Sequence, residues 1–277
     1  MSDNWIVQTL NDALGIWNEK FSEILTLITQ SPESFQGGGI WKVVQAINGT
    51  LCGIGYALLV LFFVAGVVKT CGSFTEIKKP EHALKLFVRF VLAKAVITYA
   101  MDLMLAVLSI VQGIVGSILS SSGLASASAY TLPADMITTI ESLGFFESIP
   151  LWFVALLGSL MIWVLSIVMI LSVYGRFFRI YLYTALAPIP LSSFAGEPTA
   201  HIGKTFLKSY AEVCMEGAVI VLACVIFSAF ATNMPEADLS VSAVSMVWNY
   251  VGQLIFNMLI LTGIVKGADR IIKEMMG

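Results

Sequence analysis

Apolar residues fill the chain in long unbroken runs, and the charged residues collect between them. Residues 43–68 are 26 consecutive uncharged positions, among them Tyr56-Ala-Leu-Leu-Val-Leu-Phe-Phe-Val64. At about 1.5 Å per residue such a run exceeds the roughly 30 Å hydrocarbon core of a bilayer. A second helix is predicted over 82–119, with Lys85, Arg89 and Lys94 early and no charge between Asp102 and Asp135, so its lipid-embedded part is 96–118. Its basic first turns are expected to reach water or to snorkel. Residues 151–174 form a third, charge-free run, which continues through Arg176 and Arg179 until Pro188 and Pro190 stop the helix and set a structural turn. The fourth run covers 210–231 and the fifth 241–265, before a short tail, 266–277. The pattern predicts an all-α integral membrane protein with five transmembrane helices.

Two segments alternate at helical spacing instead of running apolar. In 4–28, Trp5, Ile6, Leu10, Ala13, Leu14, Trp17, Phe21, Ile24 and Ile28 recur at three- and four-residue steps opposite Asp12, Glu19, Lys20 and Glu23. This is the signature of an amphipathic helix lying in a membrane interface. The linker Ser31-Pro-Glu-Ser-Phe-Gln-Gly-Gly-Gly39 is expected to uncouple it from the first span. Residues 1–39 thus form one unit, assigned to the outer face, and 40–265 a five-helix transmembrane domain. Met136, Ile137, Ile140 and Leu143 make a second, shorter amphipathic segment.

Composition agrees: 58% of residues are apolar and 12% charged, against about 25% charged in an ordinary soluble domain. The mean hydropathy of +0.88 makes lipid the solvent for most of the chain. The net charge of −3 matters less than its distribution. Lys69, Lys78, Lys79, Lys85 and Arg89 fall between spans one and two, Arg176, Arg179, Lys204 and Lys208 between three and four, and Lys266, Arg270 and Lys273 in the tail. The alternate connections, 119–150 and 232–240, hold no Lys or Arg but carry Asp135, Glu141, Glu147, Glu236 and Asp238. Because basic loops are retained on the cytoplasmic side, the expected topology is N-out/C-in, with cytoplasmic loops 69–95 and 175–209 and a cytoplasmic tail.

Charges inside lipid are the candidates for chemistry, since each costs about 2.5–3.5 kcal/mol on insertion scales. Asp102, Glu212 and Glu216 qualify, and Lys204, Lys208, Glu212 and Glu216 share one broad helix face at four-residue steps. They form either a wet, charge-lined path or an interhelical ion pair with Lys94, Arg176 or Arg179. Asn249, Gln253 and Asn257 repeat the spacing on span five, again as path or as helix packing. Gly49 and Gly53 form a small-xxx-small pair suited to close helix approach. The basic loop around Lys78, Lys79, Lys85 and Arg89 is a solvated positive-inside loop or a surface for acidic lipid, nucleic acid or an acidic partner. The sequence holds no Walker A loop, HExxH or GxSxG, and His82 and His201 lie apart. Cys52, Cys71, Cys214 and Cys224 form no CxxC. No enzyme activity, disulfide, metal or cofactor is expected, nor a cleaved secretory signal.

The stretch Arg176-Phe-Phe-Arg179, Tyr181-Leu-Tyr183, Ala185-Leu-Ala-Pro-Ile-Pro-Leu191, Ser193-Phe-Ala-Gly196 and Gly203-Lys-Thr-Phe-Leu-Lys-Ser-Tyr210 resembles the TrbL-like (VirB-six-like) conjugal transfer family. The likeness extends through hydropathy over about 40–270. It implies a polytopic subunit of the cytoplasmic (inner) membrane in a type IV secretion machine, helping a relaxase-bound single DNA strand to cross. It further implies partners among the other secretion subunits, including cytoplasmic ATPases, a homo-oligomer or mixed ring surrounded by lipid, and transient contact with single-stranded DNA. Lys78, Lys79, Lys85, Arg89, Arg176, Arg179, Lys204 and Lys208 are the expected cytoplasmic partner or DNA contacts. Two alternatives are a small-molecule permease component using the intramembrane carboxylates, and a scaffold that only anchors partners.

Overall fold

The third apolar run builds the helix that the rest of the chain packs on. The computed structural model describes residues 4–70, 80–122, 130–230 and 240–277. Its helices are α1 (Trp5–Thr29), α2 (Gly39–Thr70), α3 (Pro80–Thr98), α4 (Ala100–Ser122), α5 (Ala134–Glu141), α6 (Phe145–Leu186), α7 (Pro188–Leu191), α8 (Ala200–Phe230), α9 (Ala243–Lys266) and α10 (Ala268–Met276), and there is no strand among the described residues. Five of them, α2, α4, α6, α8 and α9, are long and apolar enough to cross a membrane. With 42 residues, α6 is the longest.

Asn4 caps α1 by accepting from the Ile6 amide at 3.0 Å, and one face of the helix, from Ile6 through Leu14 and Trp17 to Ile28, is buried. That face lies along α6 in parallel and in constant register. Trp5 meets Trp152 at 5.5 Å between ring centroids, the Tyr174 hydroxyl donates to Glu23 at 3.3 Å, and Phe35 stacks on Phe177 at 4.5 Å. The 31–39 linker is therefore not a free joint. Phe35 is 2% exposed and Tyr181 donates to the Pro32 carbonyl at 2.9 Å, while the turn itself needs positive φ at Gln36, Gly37 and Gly38. The 1–39 stretch runs alongside α6: its start lies beside Trp152 and its end beside Tyr181, at opposite ends of the apolar run of α6.

α8 returns antiparallel to α6, with Tyr183 against Phe206 at 5.5 Å. α9 runs parallel to α6 and packs where Gly158 leaves room, since a Cβ there would come within 2.5 Å of Val251. α4 lies on α8, where Tyr210 donates to the Met104 carbonyl at 3.0 Å, and touches the end of α1 through Gln112 and the Gln30 carbonyl, 3.4 Å. The bundle is thus α1, α4, α6, α8 and α9.

α2 packs on the end of this bundle instead of inside it. Asn48 donates to the Thr184 carbonyl at 2.7 Å, Gly55 rests on Pro188 and Gly66 on Gly196. α3 runs back along α2, with Phe63 against Phe90 at 4.9 Å and Tyr56 bonded to Thr98 at 2.9 Å. The close approaches on α2 are made by Gly55 and Gly66, whereas a Cβ at either residue of the expected pair, Gly49 and Gly53, would meet nothing within 4 Å. The 69–95 stretch, expected as loop, is helical from Pro80 onward, and 175–209 is the end of α6, the Pro188–Ala195 turn and the start of α8. Cys71, Lys78, Lys79, Glu236 and Asp238 lie outside the described residues.

Tyr130 joins the connection after α4 to the bundle: its amide and carbonyl bond the Asn18 side chain at 3.0 and 2.9 Å. Its buried phenol has no hydrogen-bond partner among the described residues, and burial pushes its pKa up to about 12. An unmatched buried hydroxyl costs about 1–3 kcal/mol, so Tyr130→Phe is expected to raise the melting temperature in detergent. The phenol ionises near 10 in the unfolded chain, so its neutral form favours folding fully below that pH and the effect is lost as pH rises through about 12. Melting curves across that window are expected to be flatter for the variant than for wild type.

Candidate functional site

The end of the bundle where α6, α8 and α10 meet gathers most of the charged residues that the sequence singled out. Arg176 is carried there by α6, on the same face as Met169, Val173 and Ile180, and is 2% exposed. Its guanidinium donates to the Val213 and Cys214 carbonyls of α8, at 3.3 and 3.2 Å. It fits because residue 217 is glycine: a Cβ there would meet the Arg176 Cζ at 2.4 Å. One turn on, Arg179 Nη2 lies 2.7 Å from both carboxylate oxygens of Glu216. The Glu216 side chain is 4% exposed and that of Arg179 38%, so the pair links interior to rim. Glu216 is thus paired across helices with Arg179.

Outside this pair lies a cavity of about 130 Å³, lined by Arg179, Glu212, Glu216, Asp269 and Lys273 among others. α10 contributes its last two members because the chain bends at Gly267 and continues along α8 toward Lys208. Lys273 lies 3.7 Å from Asp269, and Lys208 donates to the Gly277 carbonyl. The Lys204–Glu216 face is therefore divided: Lys204 exposed, Lys208 held by the tail, Glu212 at the cavity and Glu216 in the interior pair. Three carboxylates and two cations around a small space can hold water by hydrogen bonds.

The other predicted residues do not converge there. Asp102 is exposed in the first turn of α4; Asn249 and Gln253 are exposed and Asn257 half-buried on α9. Lys85 is exposed, while Arg89 is tied to Glu197 at 3.0 Å and to the Phe194 carbonyl at 3.2 Å, locking α3 to the turn before α8. Pro188 is buried as the first residue of α7 and Pro190 half-buried in the same turn. Two structural residues escaped the sequence reading: Gly217, whose role depends on where Arg176 reaches, and Glu197, whose partner is more than a hundred positions away.

No curated protein and no solved structure matches the chain. A family does: that described as TrbL/VirB6 plasmid conjugal transfer like protein, over residues 17–188. The matched region holds the second half of α1 and all of α2 to α6, including Arg176 and Arg179.

Removing the partners of a buried charge costs about 3–5 kcal/mol. Gly217→Ala, which drives the Arg176 guanidinium off its carbonyls, is expected to lower detergent melting stability by about that amount. Adding Arg176→Met is expected to restore much of the loss, because the side chain keeps its bulk and no longer brings a charge inside. Equal stability of the single and double variants would refute this account of Gly217.

Proposed function

We propose, from this chain's membership of the TrbL/VirB6 plasmid conjugal transfer like family, that it is a conduit or scaffold subunit helping relaxase-bound single-stranded DNA across the cytoplasmic membrane. The family match over residues 17–188 carries the reading, and a multi-pass helical protein of a conjugal transfer system is its framework. The subunit sits N-out and C-in, its basic end in the cytoplasm beside the ATPases of the machine, in accord with the distribution of Lys and Arg. One bundle leaves no bore for a nucleic acid between its packed helices, so the conduit is built by several copies or with other subunits.

Two cations at the basic end support the DNA-facing part of the reading. Lys85 and Lys204 are exposed, and neither is engaged by any carboxylate within ion-pair distance among the described residues. Arg89, Arg179 and Lys273 face carboxylates instead, and Arg176 is interior. Of the six of those eight bases that the structure describes, Lys85 and Lys204 are thus the two left exposed without a partner carboxylate. The pairing of Glu216 also favours a conduit subunit over a permease, which needs its intramembrane carboxylates free for solute.

Formaldehyde crosslinking during mating tests this. Transferring DNA is expected to be recovered with the wild-type subunit, and Lys85→Ala with Lys204→Ala is expected to cut the yield about threefold or more, as phosphate contacts are lost, with insertion unchanged. Mating without any recovered DNA would favour the scaffold reading.

A further inference from the structure

α1 is not among the helices whose hydropathy marks them as membrane spans, yet its position follows from α6. Residue 5 lies at residue 152, residues 12–16 share a groove with 159–163, residue 23 lies at 174 and the carbonyl of residue 32 at 181. The offset stays near 150 throughout, so α1 runs beside the whole charge-free run of α6. If α6 crosses the membrane, α1 crosses with it. α2 and α3 then begin and end at the basic end, since α2 starts near Tyr181 and α3 ends against Cys52 and Tyr56. The alternation α1, α4, α6, α8, α9 makes five crossings with the basic connections still on one side.

At that depth the outward side of α1 is unlike a lipid surface. Asn11, Asp12, Gly15, Glu19, Ser22 and Thr26 are exposed in one stripe, which continues to Thr29 over about 27 Å, close to the roughly 30 Å of hydrocarbon. Trp5 is the single large apolar residue exposed on α1, whereas α6 exposes Trp152, Leu157 and Trp163, and α9 exposes Trp248, Phe256 and Leu259. α4, which touches α1, continues the polar side with Ser109, Gly113, Ser117 and Ser120, with Ile110 and Ile114 as its large apolar exceptions. The α1–α6 groove, about 390 Å³, joins the two characters, with Thr9 and Asp12 on one bank and Leu156, Leu160 and Trp163 on the other.

We propose that α1, not α2, is the first helix to cross the membrane, and that its outward polar stripe faces a water-filled path in the assembled complex. A stripe carrying two carboxylates is poorly matched to another lipid-facing helix, and water is the partner that satisfies Asp12 and solvates the exposed Glu19 beside Lys20, 3.3 Å away. Such a wall repels a phosphate backbone, so a DNA strand passing it is kept hydrated, not gripped. The crossing rests on geometry alone; the water path rests also on the reading of the protein as a conduit subunit.

Single cysteines in an otherwise cysteine-free full chain, in cells carrying the whole transfer machine and still mating, test both halves. For the crossing, Ser34→Cys is expected to resist a membrane-impermeant maleimide in intact cells and to label after permeabilisation. Labelling of Ser34→Cys from outside overturns the proposal and returns α1 to the outer face. For the path, Gly15→Cys, Glu19→Cys and Ser22→Cys are expected to react with a charged methanethiosulfonate about tenfold or more faster than Leu157→Cys and Val164→Cys, because the reacting thiolate needs water. Equal rates, or a disulfide between two copies at the stripe, overturn the path. Failure of DNA crosslinking with these patterns intact would count against the conduit reading and leave the crossing standing.

Discussion

Hydrocarbon offers a polar group nothing to bond except protein, and this constraint gives α6 its central part in the fold. The bonds that fix neighbouring elements run from side chains to backbone carbonyls near its basic end: Tyr181 to Pro32, Asn48 to Thr184, Arg176 to Val213 and Cys214. Tyr210 to Met104 does the same for α4 on α8. Each joins segments far apart in sequence and leaves a donor satisfied inside a low-dielectric interior. Apolar contact, which holds the rest of the bundle, fixes separation but not register. The constant offset between α1 and α6 comes from the aromatic and polar contacts at both ends of the pair.

The same constraint sorts the charges of the basic end. An arginine that enters the interior must bring its acceptors, and Arg176 finds two carbonyls because Gly217 lets the guanidinium lie against α8. Arg179, one turn toward the rim, uses a carboxylate instead, since Glu216 is close enough to reach and too buried to remain alone. Farther out, Lys208 holds the tail to α8 through the Gly277 carbonyl, and Asp269 and Lys273 pair within α10, in a setting where ion pairs contribute about 1 kcal/mol or less. The charge gradient read along α8 is therefore a gradient of confinement. Interior charges define packing, and Lys204 and Lys85 lie exposed beyond them.

Much of this was legible in the residues. The apolar runs located α4, α6, α8 and α9, and the three- and four-residue steps in 4–28 identified the side of α1 that is buried, apart from Trp5 at the end. Periodicity could not say what covers that side. An interface and a neighbouring helix ask for the same amphipathic pattern, and the Ser31–Gly39 linker suggested freedom because a sequence does not reveal that Phe35 will stack on Phe177. Glycine spacing misled for a related reason. Gly49 and Gly53 have the local pattern of a packing motif, but Gly55 and Gly66 face the turn around Pro188 and Gly196. Pairings such as Arg89 with Glu197 depend on topology and leave no local trace.

α1 and α2 bring these strands together. α2 is the second most apolar span candidate after α6, yet the most apolar part of it is only 17% buried, the least of the five. Hydropathy measures how well a helix tolerates lipid, and α2 leaves one side open to it, where Val43, Ile54, Leu61 and Val68 are all exposed. α1 scores low because half of its circumference is polar, while its other half is as deeply buried as any surface of the bundle. A helix whose two sides meet an apolar neighbour and water carries the average of both in its composition. A helix whose packed side and open side are both apolar is uniformly apolar. The lower hydropathy of α1 is thus what a crossing helix acquires when one side of it borders water, and the high hydropathy of α2 is what a helix acquires outside the packed bundle.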